Sequence, residues 1–322
     1  MGNFISMKKT IGNSSKLNSV AKPFLKWAGG KGQLLKAFQN FYPKEIKTNQ
    51  IKNYYEPFIG GGAVFFDVVQ QYNIRSAFLY DVNEELILTY RVIQQDVHEL
   101  LEHLQDYKKK YEKLNEEGQS IFYYETRDNF NKSRIKINST RYSEDWILRA
   151  AQIIFMNKTC FNGLFRFNLR GEFNVPVGRY KNPKILDEQN LINTSKLLEI
   201  AEIKKADFSE IENDVKENSF VYFDPPYRPI SRTSSFTSYS KNKFEDAEQI
   251  KLAELFQRLH NKGIKQMLSN SDPKNNNVED NFFDDIYKNF QISRIPARRM
   301  INSVASKRNV INEIVVTNYL VK

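Results

Sequence analysis

The sequence predicts an α/β protein built on a doubly wound open sheet, with a helix-rich lobe inserted into it. Three observations predict this. First, an aromatic strand, Asn53 to Phe58, runs into Ile59-Gly60-Gly61-Gly62 and then into an apolar helix, Ala63 to Gln71. Second, a short strand, Ala77 to Tyr80, follows and ends at Asp81. Strand, glycine-rich turn, helix, strand and acid is the βαβ pattern of such sheets. Third, strands and helices alternate again near the end of the chain, after a long helical stretch.

The 322 residues are enough for one large domain or two ordinary ones. Leu34, Leu35 and Phe38 have the spacing of a short helix after the turn Ala28-Gly29-Gly30-Lys31-Gly32. From Asn83 to Leu104 apolar residues recur at helical spacing, and further helices are predicted over Asp106 to Glu117 and Asp145 to Met156. Phe220 to Phe223 reads as a buried strand, Phe244 to Asn261 as an amphipathic helix, and Lys265 to Ser269 as a strand. Glu313 to Tyr319 is a final strand rich in β-branched residues. Arg228 to Lys243 and Asn270 to Asp280 are polar and read as long loops, which favours function or mobility.

Composition narrows the partners. Hydrophobic residues make up 40%, so most of the chain should fold. No run of about 18 apolar residues occurs, so no membrane span is expected. Met1 to Val20 lacks the apolar core of a secretory signal and reads as a flexible leader. A single cysteine, Cys160, excludes an internal disulfide framework, and a cytoplasmic location is the simplest reading. With His98, His103 and His260 as the only histidines, no metal site is expected. A net charge of +10 suggests a polyanionic partner, although many basic proteins are merely basic.

Two motifs carry chemistry. In Glu56-Pro57-Phe58-Ile59-Gly60-Gly61-Gly62 the glycines let backbone approach a ligand, and the helix behind them offers unsatisfied N–H groups. Asp81 lies where an acid binds a ribose hydroxyl pair. That much fits a dinucleotide as well as S-adenosylmethionine. Glu56 would repel a pyrophosphate and favour a cationic ligand, unless it only caps a turn or pairs with a lysine.

The second motif, Asp224-Pro225-Pro226-Tyr227, follows the strand Phe220 to Phe223. Two prolines fix φ and remove two N–H donors, leaving a stiff loop. An exocyclic amino group has two protons to donate, and the Asp224 carboxylate and the Pro225 carbonyl would accept both. Tyr227 can stack on a base, contributing about 1–3 kcal/mol. The plain alternative is a rigid turn after a buried strand.

With these motifs the chain resembles the Dam-type DNA adenine-N6 methyltransferases, from about Pro23 to Tyr319. Four blocks carry the resemblance: Phe24-Leu25-Lys26-Trp27-Ala28-Gly29-Gly30-Lys31, the Glu56 to Gly62 motif, the segment Asn157 to Arg179, and the Asp224 tetrapeptide. The resemblance implies a Rossmann-like S-adenosylmethionine-dependent methyltransferase sheet with helices on both faces. It also implies an inserted, mainly helical DNA-recognition domain with a β-hairpin. Residues 21–83 and 186–322 would then form the catalytic domain, and 84–185 the target-recognition domain.

Site residues follow from the same resemblance. Trp27, Ala28, Lys31, Glu56, Pro57, Phe58, Gly60, Asp81, Asp207, Phe208 and Asp224 would hold S-adenosyl-L-methionine. Asp207 has a bland alternative as a helix N-cap. Asp224, Pro225, Pro226 and Tyr227 would be catalytic. Lys26, Phe161, Asn162, Leu164, Arg166, Pro176 and Arg179 would contact double-stranded DNA. Arg166 would read a guanine, and Phe161, standing where the family has tyrosine, would insert into the base stack. Ser269-Asn270-Ser271-Asp272 would lie beside the target base, and the loop Arg228 to Lys243 would close over it. GATC is the favoured target, and a longer relative such as GATATC shares much of the block. A nicotinamide oxidoreductase would not explain the tetrapeptide. A cytosine-N4 enzyme usually carries serine in place of Asp224, and an RNA methyltransferase would accept the same chemistry. No protein partner is read from the sequence, and a monomer is compatible with it.

Overall fold

In the computed structural model, residues 20–134, 142–168, 170–228, 244–298 and 310–321 are described. Seven strands form one sheet among them: β1 (Asn53–Glu56), β2 (Ser76–Asp81), β3 (Ala201–Lys205), β4 (Ser219–Phe223), β5 (Lys265–Ser271), β6 (Gln291–Arg298) and β7 (Val310–Thr317). Their order is β3-β2-β1-β4-β5-β7-β6. All neighbours run parallel except β7, which is antiparallel to both β5 and β6. The order reverses between β1 and β4. Ligands of open α/β sheets bind at such a switch point, beyond the carboxyl ends of the strands.

The helices are α1 (Leu35–Phe38), α2 (Lys44–Lys47), α3 (Ala63–Gln71), α4 (Glu84–Gln95), α5 (Val97–Glu112), α6 (Glu116–Ser133), α7 (Asp145–Thr159), α8 (Glu188–Leu198), α9 (Ile211–Asp214), α10 (Asp246–Asn261) and α11 (Phe282–Ile286). The sheet is covered on both faces, and its strands alternate accordingly. Tyr54, Ala77, Leu79, Phe220 and Tyr222 join a core with residues of α3, α4, α7 and α8. Their neighbours Tyr55, Phe78, Tyr80, Val221 and Phe223 join a second core with α10 and α11. A strand buried on both faces needs apolar residues at every position, which is why β4 reads as a continuous run.

The helical stretch is built round α7, which buries Trp146, Ile153, Ile154, Phe155 and Met156. Helices α4, α5 and α6 pack against it, and α4 also lies on β2 and β3. Arg149, 2% exposed, ties these helices together. Its Nε donates to Glu85 Oε2 of α4 at 2.8 Å and its Nη1 to Phe130 O of α6 at 2.9 Å.

Several elements differ from the sequence reading. The helix expected over Asp106 to Glu117 is in fact the junction of α5 and α6. Asn115 breaks it, because its side chain accepts from Gly118 N and caps α6. β3 and β6 were not anticipated: β3 is a short sheet-edge strand with charged residues at Glu202, Lys204 and Lys205, and β6 contains Pro296. The segment from Asn270 is no open loop at its start. β5 runs on to Ser271, and Asp272 caps a short turn of helix through Lys274 N. Of the other expected loop, residues 229–243 lie outside the described residues.

Candidate active site and nucleic-acid interface

Four acidic side chains gather beyond the switch point. Glu56 is the last residue of β1, Asp81 the last of β2, and Asp224 follows β4. Glu313, on β7, is paired in register with Ser271 at the end of β5. One lysine serves the group. Lys31 Nζ lies 2.6 Å from Asp224 Oδ1 and donates to Tyr227 OH at 3.2 Å and to Gly29 O at 3.1 Å. Tyr227 OH in turn donates to Glu313 Oε1 at 2.5 Å. The first block and the tetrapeptide, 193 residues apart in sequence, therefore meet at a single ion pair.

Burial sets the electrostatics. It pushes the carboxyls of Glu56, Asp224 and Glu313 above their ordinary range, and Asp81 up to about 6. Lys31 opposes the shift at Asp224 and Glu313, while three backbone N–H groups, of Asn83, Gly60 and Val82, oppose it at Asp81. Burial alone would lower the pKa of Lys31, but Asp224, Tyr227 and Glu313 outweigh it and the ammonium is held firmly charged. Two buried carboxyls, Glu56 and Glu313, and two partly buried ones, Asp81 and Asp224, thus gather here, with Lys31 interacting with Asp224 and Glu313. An excess of carboxyls over cations favours a cationic ligand.

The glycine turn is fixed from three sides. Gly60 N donates to Asp81 Oδ2 at 3.1 Å, and Gly60 O accepts from Tyr90 OH at 3.1 Å. Gly60 has φ +43°, and a Cβ there would stand 2.7 Å from Trp27 Nε1. The close approach of Trp27 to this turn explains why glycine is required. Ala28 sits in the tight turn closed by the bond from Gly30 N to Trp27 O, 3.2 Å. Pro57 is buried behind Glu56, and Phe58 stacks on Phe208 with ring centroids 5.4 Å apart. Glu56 pairs with no lysine among the described residues. It accepts from Tyr54 OH at 2.6 Å while only 2% exposed. Asp207 caps the 3₁₀ turn Phe208–Glu210 in a capping box, so the bland alternative describes its present contacts. Phe208 faces Phe58 and Phe244, whereas Trp27 packs on Phe165.

In the tetrapeptide, the Pro226 carbonyl is taken by Gln249 Nε2 at 3.1 Å. Among the described residues no group donates to the Pro225 carbonyl. Tyr227 is held by its hydroxyl yet 39% exposed, which leaves a ring face for stacking. Ser269 and Asn270 are buried at the end of β5. Ser269 Oγ is bonded to Tyr222 OH at 2.7 Å, and Asp272 binds Arg294 at 2.9 Å.

The segment after α7 doubles back on itself. Phe161 N donates to Pro176 O, Gly178 N to Thr159 O, and isolated bridges join Cys160 to Val177 and Phe167 to Phe173. Phe165 and Phe173 are buried beneath it, while Phe161, at 51%, and Asn162, Pro176 and Arg179 are exposed. Leu164 is partly buried. Arg166 is half-buried, and its Nε donates to Asn174 Oδ1 at 2.9 Å, which aims the guanidinium. Leu169 lies outside the described residues.

Sequence reasoning missed the residues that hold these parts. Asn157, fully buried, accepts from Lys26 N at 2.8 Å and donates to Lys26 O and Gly163 O, each at 3.0 Å. It clamps the first block to the start of the hairpin, and Lys26 then reaches Tyr180 OH at 3.3 Å. Tyr54, Tyr90, Asn174 and Glu313 were missed as well. None of them left a signal in the local pattern, and Glu313 lies in the middle of β7.

Comparison with known proteins agrees with this geometry. The family model for D12 class N6 adenine-specific DNA methyltransferases matches residues 27–301. The chain is 49% identical to the type II methyltransferase M.MjaIII of Methanocaldococcus jannaschii, over 92% of this chain and 99% of that protein. It is 38% identical to the type II methyltransferase M1.LlaDCHI of Lactococcus lactis, over 92% and 95%. It is 31% identical to the DNA adenine methylase of Escherichia coli K12, over 91% and 94%. The chain belongs to the D12 class of N6 adenine-specific DNA methyltransferases.

Proposed function

We propose that this enzyme transfers a methyl group from S-adenosyl-L-methionine to N6 of an adenine flipped out of duplex DNA, within the sequence GATC. The observation that carries the reading is the ion pair between Lys31 and Asp224, which joins the cofactor motif to the tetrapeptide at the sheet's switch point.

The residues present suit this cofactor. Glu56, Asp81, Asp224 and Glu313 outnumber Lys31, and S-adenosylmethionine brings a sulfonium and an ammonium. It supplies, when bound, a methyl group activated by the sulfonium. Asp81 holds the ribose hydroxyls, and the glycine turn and Trp27 bound the pocket. The target base must leave the duplex, because its amino group lies inside the stack. Unstacking costs a few kcal/mol, and stacking on Tyr227 offsets much of it. Asp224 and the Pro225 carbonyl accept hydrogen bonds from the two N6–H groups, turning the nitrogen lone pair toward the methyl group. The one proton released on methylation passes to Asp224 or solvent. Catalysis then rests on positioning and fixed acceptors.

Residues 84–185 act as the recognition domain. Phe161 wedges into the stack, Arg166 reads a guanine, Asn162 and Leu164 contact neighbouring bases, Lys26 and Pro176 approach the first base pair, and Arg179 contacts the backbone. The type II names of two relatives support a place beside a restriction enzyme. Incubation with labelled cofactor and matched duplexes with and without GATC tests the reading. Label confined to the GATC duplex, with resistance to a methylation-sensitive nuclease, is expected. Equal label in both duplexes would exclude GATC specificity.

A further inference from the structure

Glu313 is 4% exposed and sits at the mouth of the sheet, where β7 pairs in register with β5. It belongs to none of the blocks that carry the family resemblance. Its Oε1 accepts the Tyr227 hydroxyl at 2.5 Å. Its Oε2 is buried with no hydrogen-bond partner among the described residues. A half-satisfied buried carboxylate works against folding. A residue placed there only for stability would be neutral or apolar. The hydroxyl it holds carries the ring that the tetrapeptide presents, and Lys31 donates to the same oxygen of Tyr227 while paired with Asp224.

We propose, resting on the transfer to a base stacked on Tyr227, that Glu313 is a positioning residue for methyl transfer. Its carboxylate pins the Tyr227 hydroxyl and, through it and Lys31, fixes the angle between the stacking ring and the Asp224 acceptor. A charged acceptor is needed for this. A bond from a hydroxyl to an ionised carboxylate is shorter and about twice as strong as one to a neutral acceptor. It also balances Lys31, so that the lysine does not draw Asp224 wholly to itself.

The test is a double-mutant cycle of E313Q and Y227F in the full chain, with unmethylated genomic DNA as substrate. Mixed-sequence DNA separates this outcome from the choice of GATC, and the wild-type rate on it reports separately whether adenine is methylated at all. Glutamine is nearly isosteric, so E313Q should fold, with a melting temperature equal to or above that of the wild type. Its kcat should fall about tenfold while KM for the cofactor changes little, because the loss is one of alignment. Y227F should lose a similar factor, and the double variant no more than either alone. A wild-type kcat in E313Q, losses that multiply in the double variant, or a loss of activity that follows a loss of melting temperature would each overturn the proposal.

Discussion

The Lys31 ammonium lies 2.6 Å from the Asp224 carboxylate, in a site where the lysine is only 3% exposed. One residue of the first sequence block thus opposes the protonation of the proposed amino-group acceptor. Burial raises the Asp224 pKa, and Lys31 opposes it. In K31A the opposition is gone, the pKa rises further, and Asp224 stays protonated to higher pH. The acid limb of the kcat–pH profile should move to higher pH, with a lower rate at neutrality. An unmoved limb would show that Asp224 is not the titrating acceptor. D224A removes the acceptor outright and should abolish transfer while gel-shift affinity for DNA stays close to wild type.

Arg166 and Asn174 form a second pair. If the guanidinium reads a guanine, R166A should reduce discrimination at one base pair by about 1–3 kcal/mol. N174A leaves the arginine in place but unaimed, and should lose part of the same discrimination at the same position. Rates on a panel of single-substituted duplexes decide this. A uniform loss on all of them would mark Arg166 as a phosphate contact.

Asp81 has a pKa raised to about 6 by burial. As pH falls through that value the carboxylate takes up a proton and can no longer accept both hydroxyls of the ribose it is proposed to hold. KM for the cofactor should therefore rise below pH about 6, with kcat at saturation changing less. D81N should have a high KM that is flat over this range. Stability should move the other way. The folded pKa lies above the unfolded one, so this group's contribution is fully present below the unfolded pKa and lost as pH rises through the folded one. D81N should melt higher than wild type at pH 7.

Gly60 tests the glycine turn. G60A adds a methyl group 2.7 Å from Trp27 Nε1 at φ +43°, so either the turn or the indole must shift. Isothermal titration should show weaker cofactor binding by about tenfold or more, with DNA affinity little changed. Undiminished binding would mean that the turn relaxes freely.

Arg149 tests the lobe rather than the chemistry. Truncation to alanine removes the ion-pair partner of Glu85, whose side chain is 13% exposed, and should cost about 3–5 kcal/mol in urea unfolding. The rate per folded molecule at low temperature should remain near wild type.

The sequence by itself determined the sheet's central strands and the identity of the chemistry. β2 and β4 were legible because strands buried on both faces are largely apolar, whereas β1 was marked by its tyrosines before the glycine turn and β5 only by Met267 and Leu268 within a polar run. The two motifs were legible because glycine and proline impose backbone shapes that need no tertiary context. The edge strand β3 and the hairpin strand β6 were not, since a partner strand rather than their own pattern makes them strands. The same holds for the side chains that hold the site. Nothing in the local pattern marks Asn157 as a clamp or Glu313 as the partner of Tyr227, because those bonds join residues 131 and 86 positions apart. The tertiary structure decided which carboxylates share Lys31, because a charge acquires its role from what burial leaves within reach of it.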